Sequence, residues 1–537
     1  MGMFLNSIVP FMGYQEIVYD PYFVDKTNLI KELIPAIGRR NKYFCITRPR
    51  RFGKSVMANM VGAFFEKTVD SSSLFHGLSI LQEDDCKKHM NQHHVIYIDF
   101  SRAARDCTSY EQYMNRVQDG IDHDLMEAYP DLEIDTKQAL WDTLLNVCVK
   151  TGDRFIFVID EWDALFHMPF IDENMQKEYL IFLKNLLKDQ VYVELAYMTG
   201  VLPIAKYSSG SELNMFLEYD MVTRKKFGEY FGFDDLEVDR LYEKYNEKNH
   251  DSKVSREDLR IWYDGYYTAN GKRMYNPRSI VCALTENEIT NYWTSSGPYD
   301  EIFYYIRNNI EAVRDDLVLM ISGEGIRAEI QDYAAVSMEL NTKSEIYSAM
   351  VVYGLLTYDD ETGKIYIPNQ EIMEQFKKLL MTKESLGYVY RLANKSEQML
   401  QATIAGDTKT MADILQFAHN TESPILSYNH EIELSDIVNL VYLAARDEYR
   451  VEREDKAGKG YVDFIFYPIR PSQDAIILEL KVDSTPEDAI QQIMDKDYAL
   501  RFRGELGEKP KYKGRILGVG IGYSKDTKEH ECKVIIL

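Results

Sequence analysis

Three consecutive residues, Gly53, Lys54 and Ser55, follow an apolar run, Tyr43 to Thr47, and precede a stretch with Met57, Met60, Val61 and Phe64 on one helical face. A phosphate-binding loop needs backbone N–H groups aimed at an anion, a lysine that reaches its outer oxygens, a hydroxyl for Mg²⁺, and a helix N-terminus facing the charge. The backbone of Arg51, Phe52, Gly53, Lys54, Ser55 and Val56 is expected to hold the phosphates, with Ser55 on the metal. The common signature G-x-x-x-x-G-K-[ST] asks for glycine at position 48, where this chain has Arg48.

About a hundred residues later the chain reads RFIFVIDEWD, Arg154 to Asp163. An apolar run that stops at two acids describes a buried parallel strand delivering carboxylates to its C-terminal edge, where open α/β sheets bind ligands. Asp160 is expected to hold Mg²⁺ and Glu161 to orient the attacking water of a nucleotide hydrolysis. The same pair could also serve as a helix N-cap. VYVELAYMTG, Val191 to Gly200, reads as a further strand ending in Thr199.

A second constellation stands near the C-terminus, in GKGYVDFIFYP (Gly458 to Pro468) and AIILELKV (Ala475 to Val482). Side chains alternate along a strand, so Glu479 and Lys481 project to one side while Leu478, Leu480 and Val482 face the other. Carboxylates and a lysine on otherwise apolar strands cost desolvation unless they pair or bind metal. Asp463 with Glu479 is expected to chelate Mg²⁺, and Lys481 to position water or stabilise charge on a phosphate being cut. A surface ion pair is the plainer reading of E-x-K alone.

The pieces FVDKT (Phe23 to Thr27), RPRRFGKS (Arg48 to Ser55), the Asp160–Glu161 pair and MTGV (Met198 to Val201) resemble the AAA-ATPase-like family of bacterial proteins, in which an arginine-rich loop is usual. That resemblance implies ATP and Mg²⁺ as cofactors and a sensor role for Thr199 beside the γ-phosphate. It also implies a C-terminal domain of the PD-(D/E)XK nuclease superfamily. There Asp463, Glu479 and Lys481 match the acidic and lysine positions, Gln492 with Tyr498 matches the following helix motif, and Glu431 is the choice for a further acidic residue. DNA is the partner this implies.

A chain of 537 residues suggests two to four domains. The expected fold is α/β: a parallel P-loop NTPase sheet over 1–222, a helical lid with a wing-like hairpin over 223–382, a helical connector over 383–424, and a restriction-endonuclease-like α/β domain over 425–537. The formal charge of −24 repels nucleic acid overall, so DNA contact must be local, as at Arg501, Arg503, Lys509, Lys511, Lys513 and Arg515. Six cysteines without a C-x-x-C pair fit reduced thiols. No basic leader opens the sequence and no apolar run approaches the roughly 20 residues of a membrane span. A cytoplasmic protein without membrane contact is therefore expected, and a homo-oligomer is left open. Tyr22 to Lys26 is expected near the nucleotide base and the aromatics of 260–297 in the core; Arg224, Arg273 and Arg278 are candidates for an arginine finger, which the sequence does not assign. Two roles fit these parts: an ATP-gated, Mg²⁺-dependent DNase, or a nucleotide-operated signalling or scaffold switch whose nuclease-like domain only binds a partner.

Overall fold

The structure is a computed structural model that describes residues 2–82, 84–102, 107–204, 212–249, 251–293, 310–321, 323–330, 342–382, 384–420, 431–457, 460–470, 472–503 and 513–537. Its contacts divide into two compact units, Met1–Asn308 with Arg327–Ile372, and Asn309–Ile326 with Met373–Leu537.

The first unit is built on five parallel strands, β1 (Tyr43–Thr47), β2 (His94–Asp99), β3 (Phe155–Asp160), β4 (Val193–Gly200) and β5 (Leu217–Tyr219), in the order β2-β3-β4-β1-β5. Every residue of β1 and of β3 is buried, as strands covered on both faces must be. Helix α1 (Lys54–Phe65) follows β1 directly and buries Met57, Met60, Val61 and Phe64. Crossovers through Tyr110–Ala128, Leu140–Thr151 and Glu173–Leu187 supply the lengths that parallel pairing requires. Ser109 accepts from Gln112 N at the start of the first of these, and Asp172 from Asn174 N and Met175 N at the start of the last.

One element was not foreseen from the sequence. Residues 9–18 form a helix. Pro10 occupies its first turn, where a missing N–H costs nothing. Tyr14 stacks on Phe75 with ring centroids 5.2 Å apart, and the helix lies so close to α1 that a Cβ on Gly62 would meet Pro10 Cβ at 2.8 Å. Tertiary packing thus sets the conformation there, over a weak local pattern.

Among the described residues the rest of this unit is mainly helical, with Asp235–Lys248 and Arg256–Tyr263 each opened by a reciprocal capping box, followed by α2 (Pro277–Glu286) capped by Asn276. Tyr263, Tyr266 and Tyr275 are buried in the core. Thr357–Asp359 and Lys364–Tyr366 pair as an antiparallel hairpin.

The second unit holds a mixed sheet of β6 (Tyr449–Ala457), β7 (Gly460–Pro468), β8 (Ala475–Val482), β9 (Ile516–Tyr523) and β10 (His530–Ile536), in sequence order. Only β8 and β9 run parallel. Helix α3 (Glu431–Val441) precedes the sheet and α4 (Pro486–Asp495) makes the parallel crossover. The alternation of GVGIGY in β9 has a steric reason. Gly520 lies opposite Glu479, and a Cβ there would meet Pro486 O at 2.3 Å; on Gly522 it would meet Ser484 O at 2.9 Å. Glycines on that face let the N-terminal end of α4 settle against the sheet.

Candidate functional site

In the first unit the strand order decides the geometry. β4 lies between β1, which leads into the phosphate loop, and β3, which ends in the acid pair. Thr199, next to last in β4, therefore stands between the two. Its Oγ1 donates to Asp160 Oδ1 at 2.5 Å, and Ser55 also bonds the Asp160 side chain. Lys54, only 4% exposed, donates from Nζ to Pro49 O at 3.2 Å and lies 3.7 Å from Glu161 Oε1. The lysine is thus curled into its own loop and faces a carboxylate. Burial raises the Asp160 carboxyl above the usual range, aided by the charge of Glu161 and opposed by the bonds from Thr199 and Ser55. Burial raises Glu161 as well, with Lys54 opposing. A carboxylate pair held up in this way favours a cation, and an Mg²⁺ at Ser55 and Asp160 would relieve the cost.

Backbone conformation shapes the loop. Gly53 has φ +83° and precedes the first turn of α1, while Arg51 and Glu161 take φ +70° and +50°, uncommon for residues with a Cβ. Arg48 replaces the usual first glycine, and the structure gives the reason. The side chain turns away from the loop into the interior, where Nη1 donates to Thr47 O at 2.7 Å and Tyr219 O at 2.8 Å, and Nη2 to Phe227 O at 3.1 Å. The guanidinium also stacks over Phe231, 4.8 Å from the ring centroid. Arg48 fastens the base of the loop to β5 and to the segment behind it.

A cavity of about 970 Å³ opens at this edge of the sheet. Its walls include all six loop residues from Arg51 to Val56, together with Asp160 and Glu161; Thr199 acts on it through Asp160. Tyr22, Phe23, Val24 and Lys26 line it too, although Lys26 is bound to Glu237 at 2.6 Å. Among the three arginines considered, Arg278 at the start of α2 lines the cavity, Arg273 is paired with Asp264 at 2.8 Å, and Arg224 is exposed.

Sequence reasoning missed two residues that brace the site. Asp163 is buried and accepts from Val201 N at 3.2 Å and Leu202 N at 2.7 Å; Trp162 donates from Nε1 to Leu202 O at 3.1 Å. A Cβ on Gly200 would meet Trp162 Cδ1 at 2.4 Å. The D-E-W-D spelling was the available signal. Asp99, paired in register with Asp160 at the end of β2, also lines the cavity and was not anticipated.

In the second unit, Asp463 of β7 and Glu479 of β8 lie side by side. Asp463 Oδ2 accepts from Leu480 N at 2.7 Å, and Glu479 Oε2 from Asp463 N at 3.4 Å. Lys481 Nζ is 3.6 Å from Glu479 Oε1. Gln492 of α4 donates to Glu479 Oε1, and Tyr498 OH donates to Tyr461 O at 2.5 Å. Burial, then the charge of Asp463, pushes the Glu479 carboxyl up to about 8, with Lys481 opposing. Two carboxylates and a lysine on one face of adjacent strands suit a divalent cation, which would supply the charge that the pair needs to ionise.

Glu431 begins α3, but its side chain lies outside the described residues. The same holds for the side chains of Arg501 and Arg503 and for all of Lys509 and Lys511. Arg515 is bound to Asp474 at 2.6 Å and to Ile404 O at 3.1 Å, so its guanidinium is engaged within the protein. Lys513 is exposed.

The sheet, loop and cavity define an ATPase-like P-loop domain, and the second unit carries a mixed α/β sheet with a D…E-x-K face. Residues 11–209 match the family described as Predicted AAA-ATPase, and residues 436–518 match the PD-(D/E)XK nuclease superfamily. The chain carries one domain of each. A protein of Azotobacter chroococcum, described as an uncharacterized protein in the vnfD 5′ region, is 25% identical over 287 residues, or 52% of this chain; the chain spans only 51% of that relative's length. A Walker-type ATPase of Pyrococcus abyssi is 13% identical, covers 65% of this chain and 93% of its own, and superposes with a TM-score of 0.34. The ORC2 protein of Aeropyrum pernix in ADPNP–ADP complexes, also 13% identical, covers 68% and 98% with a TM-score of 0.30. Among the described residues no helix is long and apolar enough to cross a membrane.

Proposed function

We propose that the chain is an ATP-binding and ATP-hydrolysing protein whose second unit is an Mg²⁺-dependent DNA nuclease, with cleavage controlled by the nucleotide. The observation that carries the first half is the meeting of Lys54, Ser55, Asp160, Glu161 and Thr199 at one edge of a large cavity. In this reading the amides of Arg51 to Val56 and the ammonium of Lys54 bind the phosphates. Ser55 and Asp160 hold the metal, and Thr199 fixes Asp160 Oδ1. Glu161 takes the proton of the attacking water, a role its raised carboxyl suits. Arg278 stands on the cavity wall as the arginine that would neutralise charge developing on the transferred phosphoryl group.

For the second half, Asp463 and Glu479 hold Mg²⁺ and Lys481 stabilises the phosphate under attack. Gln492 and Tyr498 fix Glu479 and the β7 backbone. Glu431 remains the proposed further acidic ligand. The motive for nucleotide control is that one chain carries both sites. The four-part division at 222, 382 and 424 belongs to this proposal, as does a cytoplasmic location, which fits six free cysteines.

The test is Mg²⁺-dependent cleavage of plasmid and linear DNA by the wild type and Lys481→Ala, each with and without ATP. Cleavage that needs Lys481 and changes with ATP is expected. Equal rates with ATP, ADP and no nucleotide would remove the gating; no cleavage beside intact ATP hydrolysis would favour a switch whose second unit binds a partner.

A further inference from the structure

A buried carboxylate that the nucleotide chemistry does not use lies close behind the phosphate loop. Glu371 has no exposed surface, and three elements of the first unit close around it. Ser279 Oγ, in the first turn of α2, lies 3.0 and 2.9 Å from its two oxygens and donates to them. Tyr292 N and Trp293 N both donate to Oε1 at 2.8 Å. Asn291 Nδ2 donates to the Glu371 carbonyl at 2.8 Å, so residues 291–293 wrap the position completely. The phosphate loop then enters the network, because Arg51 Nη1 donates to Tyr292 O at 2.7 Å. The next residue to Ser279 on α2 is Arg278, on the cavity wall.

We propose that Glu371 is a positioning residue for the nucleotide site, joining the phosphate loop, through Tyr292 and the charge of Arg51, to the helix end that presents Arg278. The inference rests on the reading of this cavity as an ATP site. One carboxylate accepts from both the helix end and the peptide that Arg51 grips, so the loop and Arg278 are set as one body. An uncharged amide or apolar residue could fill the space. What only a carboxylate adds is attraction for Arg51, strongest when Glu371 is ionised, in surroundings of low dielectric.

Burial pushes the Glu371 carboxyl up to about 7, against the bonds from Ser279, Tyr292 and Trp293 and the charge of Arg51. The groups facing it are Arg51 from the loop, Cys282 from α2, Tyr263 from Arg256–Tyr263, Tyr266 from the short strand at 266–267, and Tyr292 from the wrapping segment. Burial pushes the cysteine and the three tyrosines up, so they stay neutral near pH 7. Arg278 faces Arg51 and Cys282. Raising the pH through about 7 therefore charges Glu371, strengthens its hold on Arg51 and orders the loop; lowering the pH releases it.

The experiment uses the full chain and measures Mg·ATP affinity by calorimetry from pH 6 to 8.5 for the wild type, Glu371→Gln, Arg51→Ala and the double variant. Glutamine keeps every hydrogen bond: its oxygen faces the two amides and its NH2 donates to Ser279 Oγ. Only the charge is lost, so the fold should survive, and a melting curve checks this. Dividing wild-type affinity by that of Glu371→Gln cancels the titration of ATP and of Asp160. The ratio should rise about fivefold across pH 7, the low end of coupling between linked sites, and the rise should vanish in the Arg51→Ala background. A ratio flat with pH, or one that keeps its rise without Arg51, would overturn the positioning role while leaving ATP binding intact. A wild type that binds no ATP at any pH would instead defeat the reading of the cavity.

Discussion

Arg48 gives the sharpest test of how the loop is built. Restoring the glycine of the common signature, Arg48→Gly, should damage the site, not improve it. The change leaves the carbonyls of Tyr219 and Phe227 without the donors they have now, at about 1–3 kcal/mol each. The space left beneath Phe231 adds about 2 kcal/mol. Relief of a buried charge returns part of this, since burial already holds the guanidinium down to about 10. A net local loss of about 3–5 kcal/mol follows, or roughly 10²- to 4 × 10³-fold faster hydrogen exchange, at about 1.4 kcal/mol per factor of ten. The amide to watch is Arg48 N–H, which donates to Gly200 O at 3.1 Å. Mass-spectrometric exchange over residues 43–56 reads it, with ATP affinity measured in parallel. Arg48→Met fills the space without donors and should fall between the two. Wild-type exchange and undiminished affinity in Arg48→Gly would refute the anchoring role.

Three further outcomes are expected. Gly520→Ala puts a Cβ 2.3 Å from Pro486 O, a backbone atom that cannot step aside, so the second unit should lose about 1–3 kcal/mol in urea titrations, while ATP binding is unchanged. Thr199→Val removes a donor that lowers the Asp160 carboxyl; this group should then ionise at higher pH, and the acid limb of ATP hydrolysis should move to more alkaline pH. Glu479 has the opposite linkage from a salt-bridged acid. Its folded value of about 8 lies above the ordinary one, so the stability that Glu479 contributes to the metal-free unit is full at acid pH and is lost as pH rises toward 8. Metal must displace that proton, so Mg²⁺ affinity by calorimetry should climb by up to about tenfold per pH unit below this value, with a flat profile in Glu479→Gln.

Much of this was readable because the chemistry sits at abrupt changes of pattern. An apolar strand that stops at Asp160–Glu161, a strand that runs into Gly53-Lys54-Ser55, and an apolar run broken at alternate positions by Glu479 and Lys481 each place charge where a buried element ends or turns. Arg48 was visible as a departure, but its purpose depends on carbonyls 171 and 179 positions further along the chain. Nothing in the sequence singled out Glu371, and only its meeting with Ser279, 92 positions away, reveals a buried charge. Strand order was hidden for the same reason. Nothing local says that β4 inserts between β1 and β3, yet that insertion brings Thr199 to Asp160. The glycine alternation of β9 was in plain view, and its steric meaning needed α4 in place.

The two sites also differ in how far apart their parts lie along the chain, and this bears on the order in which they come into being. Asp463 and Glu479 are 16 positions apart, on antiparallel strands joined by a short connection. A hairpin of this span can close on the microsecond scale with few other contacts. Lys54 and Glu161 meet across more than a hundred residues, and only after three parallel crossovers have formed, the slowest class of pairing. During refolding of the full chain, the acidic pair can therefore assemble with little help from its surroundings, whereas the cavity at Lys54 and Glu161 is a late product of the whole first unit. A refolding chain would display the Asp463–Glu479 pair before the cavity of the first unit exists.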